Sequence, residues 1–122
     1  MKKILYIEDE PDYVAIAREY LKNYDYEIIG AQDGEEGVKK AFELMPDLIF
    51  VDLFLPKIKG YDVCERLKKD PKTQHIPIMI ISASGVEYFE KQCKAAGADD
   101  CMLKPYKASD LIAKTKILLK EL

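Results

Sequence analysis

The sequence predicts an α/β protein, a doubly wound five-stranded parallel sheet of (βα)5 form, and two observations predict it. Short apolar runs alternate with stretches of helical periodicity along the whole chain, and repeated strand–helix–strand crossovers imply parallel strands with right-handed connections. The third and fourth runs are apolar at consecutive positions, the pattern of strands covered by helices on both faces. At 122 residues the chain is expected to form one domain, residues 1–122, large enough for a single core.

The first strand is expected at Ile4–Ile7, before Glu8-Asp9. Pro11 suits a helix's first turn, where its missing N–H is not needed, and Val14, Ala17 and Leu21 follow at helical spacing. Tyr26–Ala31 reads as the second strand. Asp33 with Glu36 is a helix start signal, the helix carries Val38, Ala41 and Phe42 inward, and Met45-Pro46-Asp47 stops it. The third strand runs from Leu48 through Val51 into Asp52. Gly60 opens a helix with Val63, Cys64 and Leu67 on its apolar side, and Asp70-Pro71 ends it. The fourth strand is expected at Ile76–Ile81. Val86, Phe89 and Cys93 form the next helical stripe, closing before Gly97; Cys101–Leu103 is a short fifth strand. Leu111, Ile112, Thr115, Leu118 and Leu119 give the last helix a wide apolar face, with Leu122 ending within about a turn of it.

Composition removes several function classes. The apolar share of 48% and charged share of 34% are those of a soluble globular protein. A net charge of −3 gives no global reason to expect nucleic-acid binding. No apolar run reaches the length of a membrane span, and the four-residue run behind Lys2-Lys3 is too short for a secretory leader. Direct nucleic-acid and membrane partners are therefore not expected, and the chain is placed in the cytoplasm. Cys64, Cys93 and Cys101 lack metal-ligand spacing and read as small apolar residues in a reducing compartment. His75, before a strand rather than after one, reads as a surface residue.

The chemistry lies where the apolar runs end. Glu8-Asp9 follow the first, Asp52 the third, Ser82 the fourth and Lys104-Pro105 the fifth. In an open parallel sheet, ligands sit at the carboxyl ends of the strands. Parallel neighbours would therefore bring three carboxylates, a hydroxyl and an ammonium into one pocket. Like charges so close raise one another's pKa unless a cation joins them. An all-oxygen set suits Mg2+, which binds through one or two carboxylates plus phosphate oxygens. Asp52 is the expected nucleophile, since a carboxylate can attack phosphorus to give an aspartyl phosphate. Lys104 and Ser82 would each take one oxygen of the transferred group. Singly, each residue has a plainer reading as a helix start, a turn cap or surface charge; together, on successive strand ends, they do not.

In Glu8-Asp9, Asp52, the turn to Pro56 with Gly60 beyond, Ser82-Ala83 and Lys104-Pro105, the chain resembles the receiver domains of two-component response regulators, in the single-domain form typified by the chemotaxis regulator. The likeness covers Lys3 to about Leu119. It implies a flavodoxin-like sheet of strand order 2-1-3-4-5. It further implies that Asp52 accepts phosphoryl from a histidine kinase or histidine phosphotransfer protein. Asp9, Asp52 and the Phe54 backbone carbonyl would bind Mg2+, with Glu8 acting through a water. Ser82, followed by Ala83, would be the hydroxyl switch, Lys104 the cationic partner, and the Lys104-Pro105 bond cis. Phosphorylation would then alter the surface of the fourth helix, fifth strand and fifth helix, which binds a downstream protein or a second copy.

Two positions depart from that family's pattern. Cys101 stands where an aromatic residue usually partners the hydroxyl, so switching is expected to run through the Ser82-to-Gly85 loop or through Tyr88 or Phe89. Phe54, with Ser84, flanks the approach of water to the phosphoryl group, and an apolar ring cannot orient that water. Slow hydrolysis is expected. An enzyme on this fold fits poorly: a phosphatase would need a second acid at Phe54, and a nucleotide binder would not place Glu8-Asp9-Glu10 at the phosphate loop. The remaining alternatives are a docking module independent of phosphorylation, and an excised receiver of a longer regulator or hybrid kinase.

Overall fold

A computed structural model of the chain describes residues 1–83 and 87–121. In chain order it contains β1 (Lys2–Ile7), α1 (Pro11–Leu21), β2 (Tyr26–Ala31), α2 (Gly34–Leu44), β3 (Leu48–Asp52), α3 (Gly60–Lys69), β4 (Ile78–Ala83), α4 (Phe89–Ala95), β5 (Asp100–Lys104) and α5 (Ala108–Leu118). All four strand pairings are parallel, in the order β2-β1-β3-β4-β5. This is the parallel (βα)5 sheet that the apolar pattern predicted, in the flavodoxin-like strand order that the resemblance implied. Among the described residues, no helix is long and apolar enough to cross a membrane.

Successive strand residues face opposite sides, and both sides are buried. Leu5, Ile7, Ile49, Val51, Ile78 and Ile80 pack with residues of α2, α3 and α4. Ile4, Tyr6, Leu48, Phe50, Met79 and Ile81 pack with α1 and α5. The uninterrupted apolar runs of β3 and β4 follow from this double cover.

Local chemistry starts and stops the helices. Pro11 occupies the first turn of α1. The Asp33 carboxylate accepts from the Glu36 N–H at 2.8 Å, capping α2, and Met45 ends that helix in the left-handed conformation. Gly60 is required by a close approach: a Cβ there would lie 2.5 Å from the Asp52 carbonyl oxygen. Its N–H donates to the Leu53 carbonyl, holding the β3–α3 loop against the strand that presents Asp52.

Three expectations shift. β4 begins at Ile78 rather than Ile76, because the Ile76 N–H turns back to the Thr73 carbonyl and Pro77 has none to give. Its far end extends to Ala83, paired with Lys104 of a β5 longer than expected at both ends. Phe42 is exposed rather than inward. α2 instead meets the sheet through Gly37 and Ala41, so closely that a Cβ on Gly37 would run into the Ile7 side chain, while Gly34 lies against Ile58 and Val63. Val86, assigned to the stripe of α4, and Leu122, assigned to the chain's last turn, lie outside the described residues. His75 is exposed, in the connection leading into β4.

Candidate functional site

Pairing of β1 with β3 in the register Ile7↔Val51 carries Glu8, Asp9 and Asp52 to the same edge of the sheet. One carboxylate oxygen from each lies within 4.8 Å of the others. Glu8 and Asp52 are buried, whereas Asp9 is exposed. From the end of β5, the Lys104 ammonium reaches across: its Nζ is 3.0 Å from Asp52 Oδ1 and also donates to Glu8 Oε1. The second Glu8 oxygen accepts the Glu10 N–H at 3.2 Å.

The electrostatics follow from burial. Loss of solvent pushes Glu8 from 4.5 up to about 7; the hydrogen bond from Lys104 works against that rise, and the Asp52 charge adds to it. Asp52 is likewise raised by burial, with Lys104 and the Phe54 backbone N–H opposing. Burial alone would lower Lys104, yet its bonds to Glu8 and Asp52 carry it up, so it stays charged. One buried ammonium thus holds two buried carboxylates. The donor set is all oxygen, clustered, and open on the Asp9 side, which fits a hard divalent cation such as Mg2+.

Above these groups is a cleft of about 370 Å3, lined by Asp9, Tyr13, Asp52, Phe54, Ala83 and Lys104 among others. The Phe54 side chain is 55% exposed at its mouth. The Lys104–Pro105 peptide bond is cis. Ser82 is fully buried, one residue beyond the Ile81 that pairs with Asp52, and its Oγ has no hydrogen-bond partner among the described residues. A buried hydroxyl left so is costly, and a phosphoryl oxygen is a chemically suitable acceptor for it. Ser84, expected beside the water path, and the loop as far as Gly85 lie outside the described residues.

Cys101 is not part of this cleft. It pairs with Ile80, two residues back along β4 from Ser82, and lines a groove of about 680 Å3 shared with Tyr88, Phe89, Leu103 and Tyr106. Phe89 is buried, whereas Tyr88 is 65% exposed.

The sequence reading missed two features of the cleft. Lys104 bonds directly to Glu8, a pairing between positions 96 residues apart that no local pattern signals. Tyr13 also went unnoticed, although it lies in the first turn of α1, close behind Asp9. Its ring lies beneath the Lys104 ammonium, 3.9 Å from Nζ to centroid.

Comparison with known proteins agrees with this geometry. The profile described as the response regulator receiver domain matches residues 4–116. The chain is 37% identical over 120 residues to the DNA-binding dual master transcriptional regulator RpaA of Synechocystis sp., covering 98% of this chain and 50% of that protein. It is 37% identical over 119 residues to the alkaline phosphatase synthesis transcriptional regulatory protein PhoP of Bacillus subtilis, covering 98% and 49%. The chain therefore spans about half the length of these curated relatives. Among solved structures, it is similar to the signal receiver domain of a signal transduction histidine kinase from Syntrophus aciditrophicus. That likeness has a TM-score of 0.90 at 29% identity, over 98% of this chain and 91% of that one.

Proposed function

The chain belongs to the response regulator receiver family, and on that premise we propose that residues 1–122 form a receiver domain whose Asp52 accepts a phosphoryl group. Members of this family are signalling modules of two-component systems rather than conventional enzymes. The observation that carries the reading is the single ammonium of Lys104 shared by buried Glu8 and Asp52, with Asp9 open beside them. Such a constellation does little for stability, since replacing buried charges by apolar residues is often neutral or stabilising; it suits the handling of an anionic group.

In the proposed reaction an Asp52 carboxylate oxygen attacks the phosphorus of a phosphohistidine on a histidine kinase or histidine phosphotransfer protein. The new O–P bond forms as the P–N bond breaks, and the imidazole leaves with the electron pair and takes up a proton. Asp9, Asp52 and the Phe54 carbonyl would hold Mg2+, with Glu8 acting through a water. When bound, Mg2+ offsets charge on the transferring oxygens. Lys104 moves its ammonium from the carboxylates toward a phosphoryl oxygen, and Ser82 donates its unpartnered hydroxyl to another. Little covalent assistance is needed; positioning and charge neutralisation suffice. Phe54 at the mouth offers water no hydrogen bond and slows loss of the phosphoryl group.

The downstream effect is a change of the α4–β5–α5 surface, which gains or loses a protein partner or a second copy. Coupling of this kind is typically worth about 1–3 kcal/mol. With Cys101 too small to act as a rotating ring, we assign that movement to Tyr88, which lines the groove with Cys101 and is exposed. The reading places the protein in the cytoplasm.

Intact-mass spectrometry tests the reading. Incubation with a small phosphodonor and Mg2+ should add one phosphoryl group to the parent, and none to Asp52→Ala or in excess chelator. A parent that stays unlabelled under conditions that label other receivers would point to a docking module instead.

A further inference from the structure

We propose that Tyr13 is a positioning residue for Lys104: its ring face seats the ammonium over the cleft once the carboxylates are otherwise engaged. The proposal rests on the phosphoacceptor reading above and adds to it a residue outside the acidic and cationic set.

Among the described residues, Lys104 Nζ meets Glu8, Asp52 and the Tyr13 ring. The first two are temporary, because phosphoryl transfer takes up the Asp52 oxygen and a cation competes for the acids. A lysine side chain released from both would regain several rotatable bonds, and the ordering that makes it useful would be lost. The Tyr13 face neither binds a hard cation in competition with the acids nor changes charge on phosphorylation. At 3.9 Å from centroid to Nζ, it lies well inside the range of a cation–π contact, and the Lys104 side chain is only 9% exposed, so solvent weakens that contact little.

The seat is itself held in place. Tyr13 packs on Tyr106 with ring centroids 6.1 Å apart, and the buried Tyr106 hydroxyl is 3.2 Å from that of Tyr6. Tyr6 in turn meets Phe50 edge-on at 5.5 Å inside the sheet core. A run of rings therefore connects strands β1 and β3 to the ammonium. Tyr13 also lines the cleft directly, so its removal would open that wall to water.

Two readouts on the intact chain test this. By NMR, the Lys104 ε-methylene protons should be shifted upfield by the ring in the parent and in Tyr13→Phe, and return to ordinary values in Tyr13→Leu. With a small phosphodonor and Mg2+, Tyr13→Leu should be labelled about five- to twentyfold more slowly, the worth of a partly desolvated cation–π contact. Tyr13→Phe should stay within about twofold of the parent. Pentafluorophenylalanine placed at position 13, a ring of similar size whose face does not attract a cation, should be labelled as slowly as Tyr13→Leu, a difference that packing volume would not predict. Tyr13→Met serves as the non-aromatic variant should Leu unfold. Labelling of the parent together with equally fast labelling of the non-aromatic variant, or absence of the upfield shift in the parent, overturns the proposal alone. A parent that is never labelled at Asp52 removes the phosphoacceptor reading and this inference with it.

Discussion

Replacing Glu8 by Gln should remove most of the pH dependence of stability between pH 4.5 and about 7 in the metal-free protein. Glu8 is 2% exposed, and burial raises it from 4.5 to about 7. The folded state then holds this proton more tightly than the unfolded chain. The contribution is complete below the unfolded value and fades as pH rises through the folded one. A shift of that size corresponds to about 3 kcal/mol, or roughly 10 °C in melting temperature for a domain of this length. Asp52 is raised in the same sense and adds to the loss. Melting followed by circular dichroism in excess chelator should therefore show the parent losing stability across this range, and Glu8→Gln losing far less. Saturating Mg2+ should reverse the trend, because the ionised carboxylates are the form that binds a cation. Parallel pH profiles for parent and Glu8→Gln in chelator would refute the reasoning.

Lys104→Ala should cost about 3 kcal/mol in chelator above pH 7, since it strands two buried carboxylates; urea titration should find the loss smaller at acid pH, where both can be protonated. Gly60→Ala places a Cβ 2.5 Å from the Asp52 carbonyl oxygen and 2.9 Å from the Leu53 Cα. Backbone must give way, so a destabilisation of about 2 kcal/mol is expected, together with weaker Mg2+ uptake by calorimetry. Phe54→Asn should shorten the phosphorylated lifetime several-fold in a phosphate-release assay, because an amide at the mouth can orient water where the ring cannot.

Much of the fold was legible because burial on both faces leaves unbroken apolar runs, and β3 and β4 have no polar residue until their functional ends. Asp33 was legible for a local reason: its cap to Glu36 spans three residues. What failed depended on tertiary distance. Phe42 has helical spacing with Val38 and Ala41, but α2 approaches the sheet so closely that glycine, not a ring, fills the contact line. The beginning of β4 was misread because apolarity at Ile76 continues past the point where the backbone turns to Thr73. In the site, the convergence of the carboxylates and the lysine was legible from their positions at strand ends. Tyr13 was not, because an aromatic residue on an amphipathic helix is ordinarily core, and only the folded position of Lys104 gives its face a cation to meet.

The central claim is that the Asp52 carboxylate itself bonds to phosphorus. Borohydride reduction of the phosphodonor-treated protein, followed by peptide sequencing in a mass spectrometer, tests it most directly, because an acyl phosphate is reduced to the alcohol while free carboxylates are untouched. The account predicts homoserine at position 52, formed only when Mg2+ is supplied. An unreduced Asp52, or reduction at Asp9 or Glu8 instead, would contradict it.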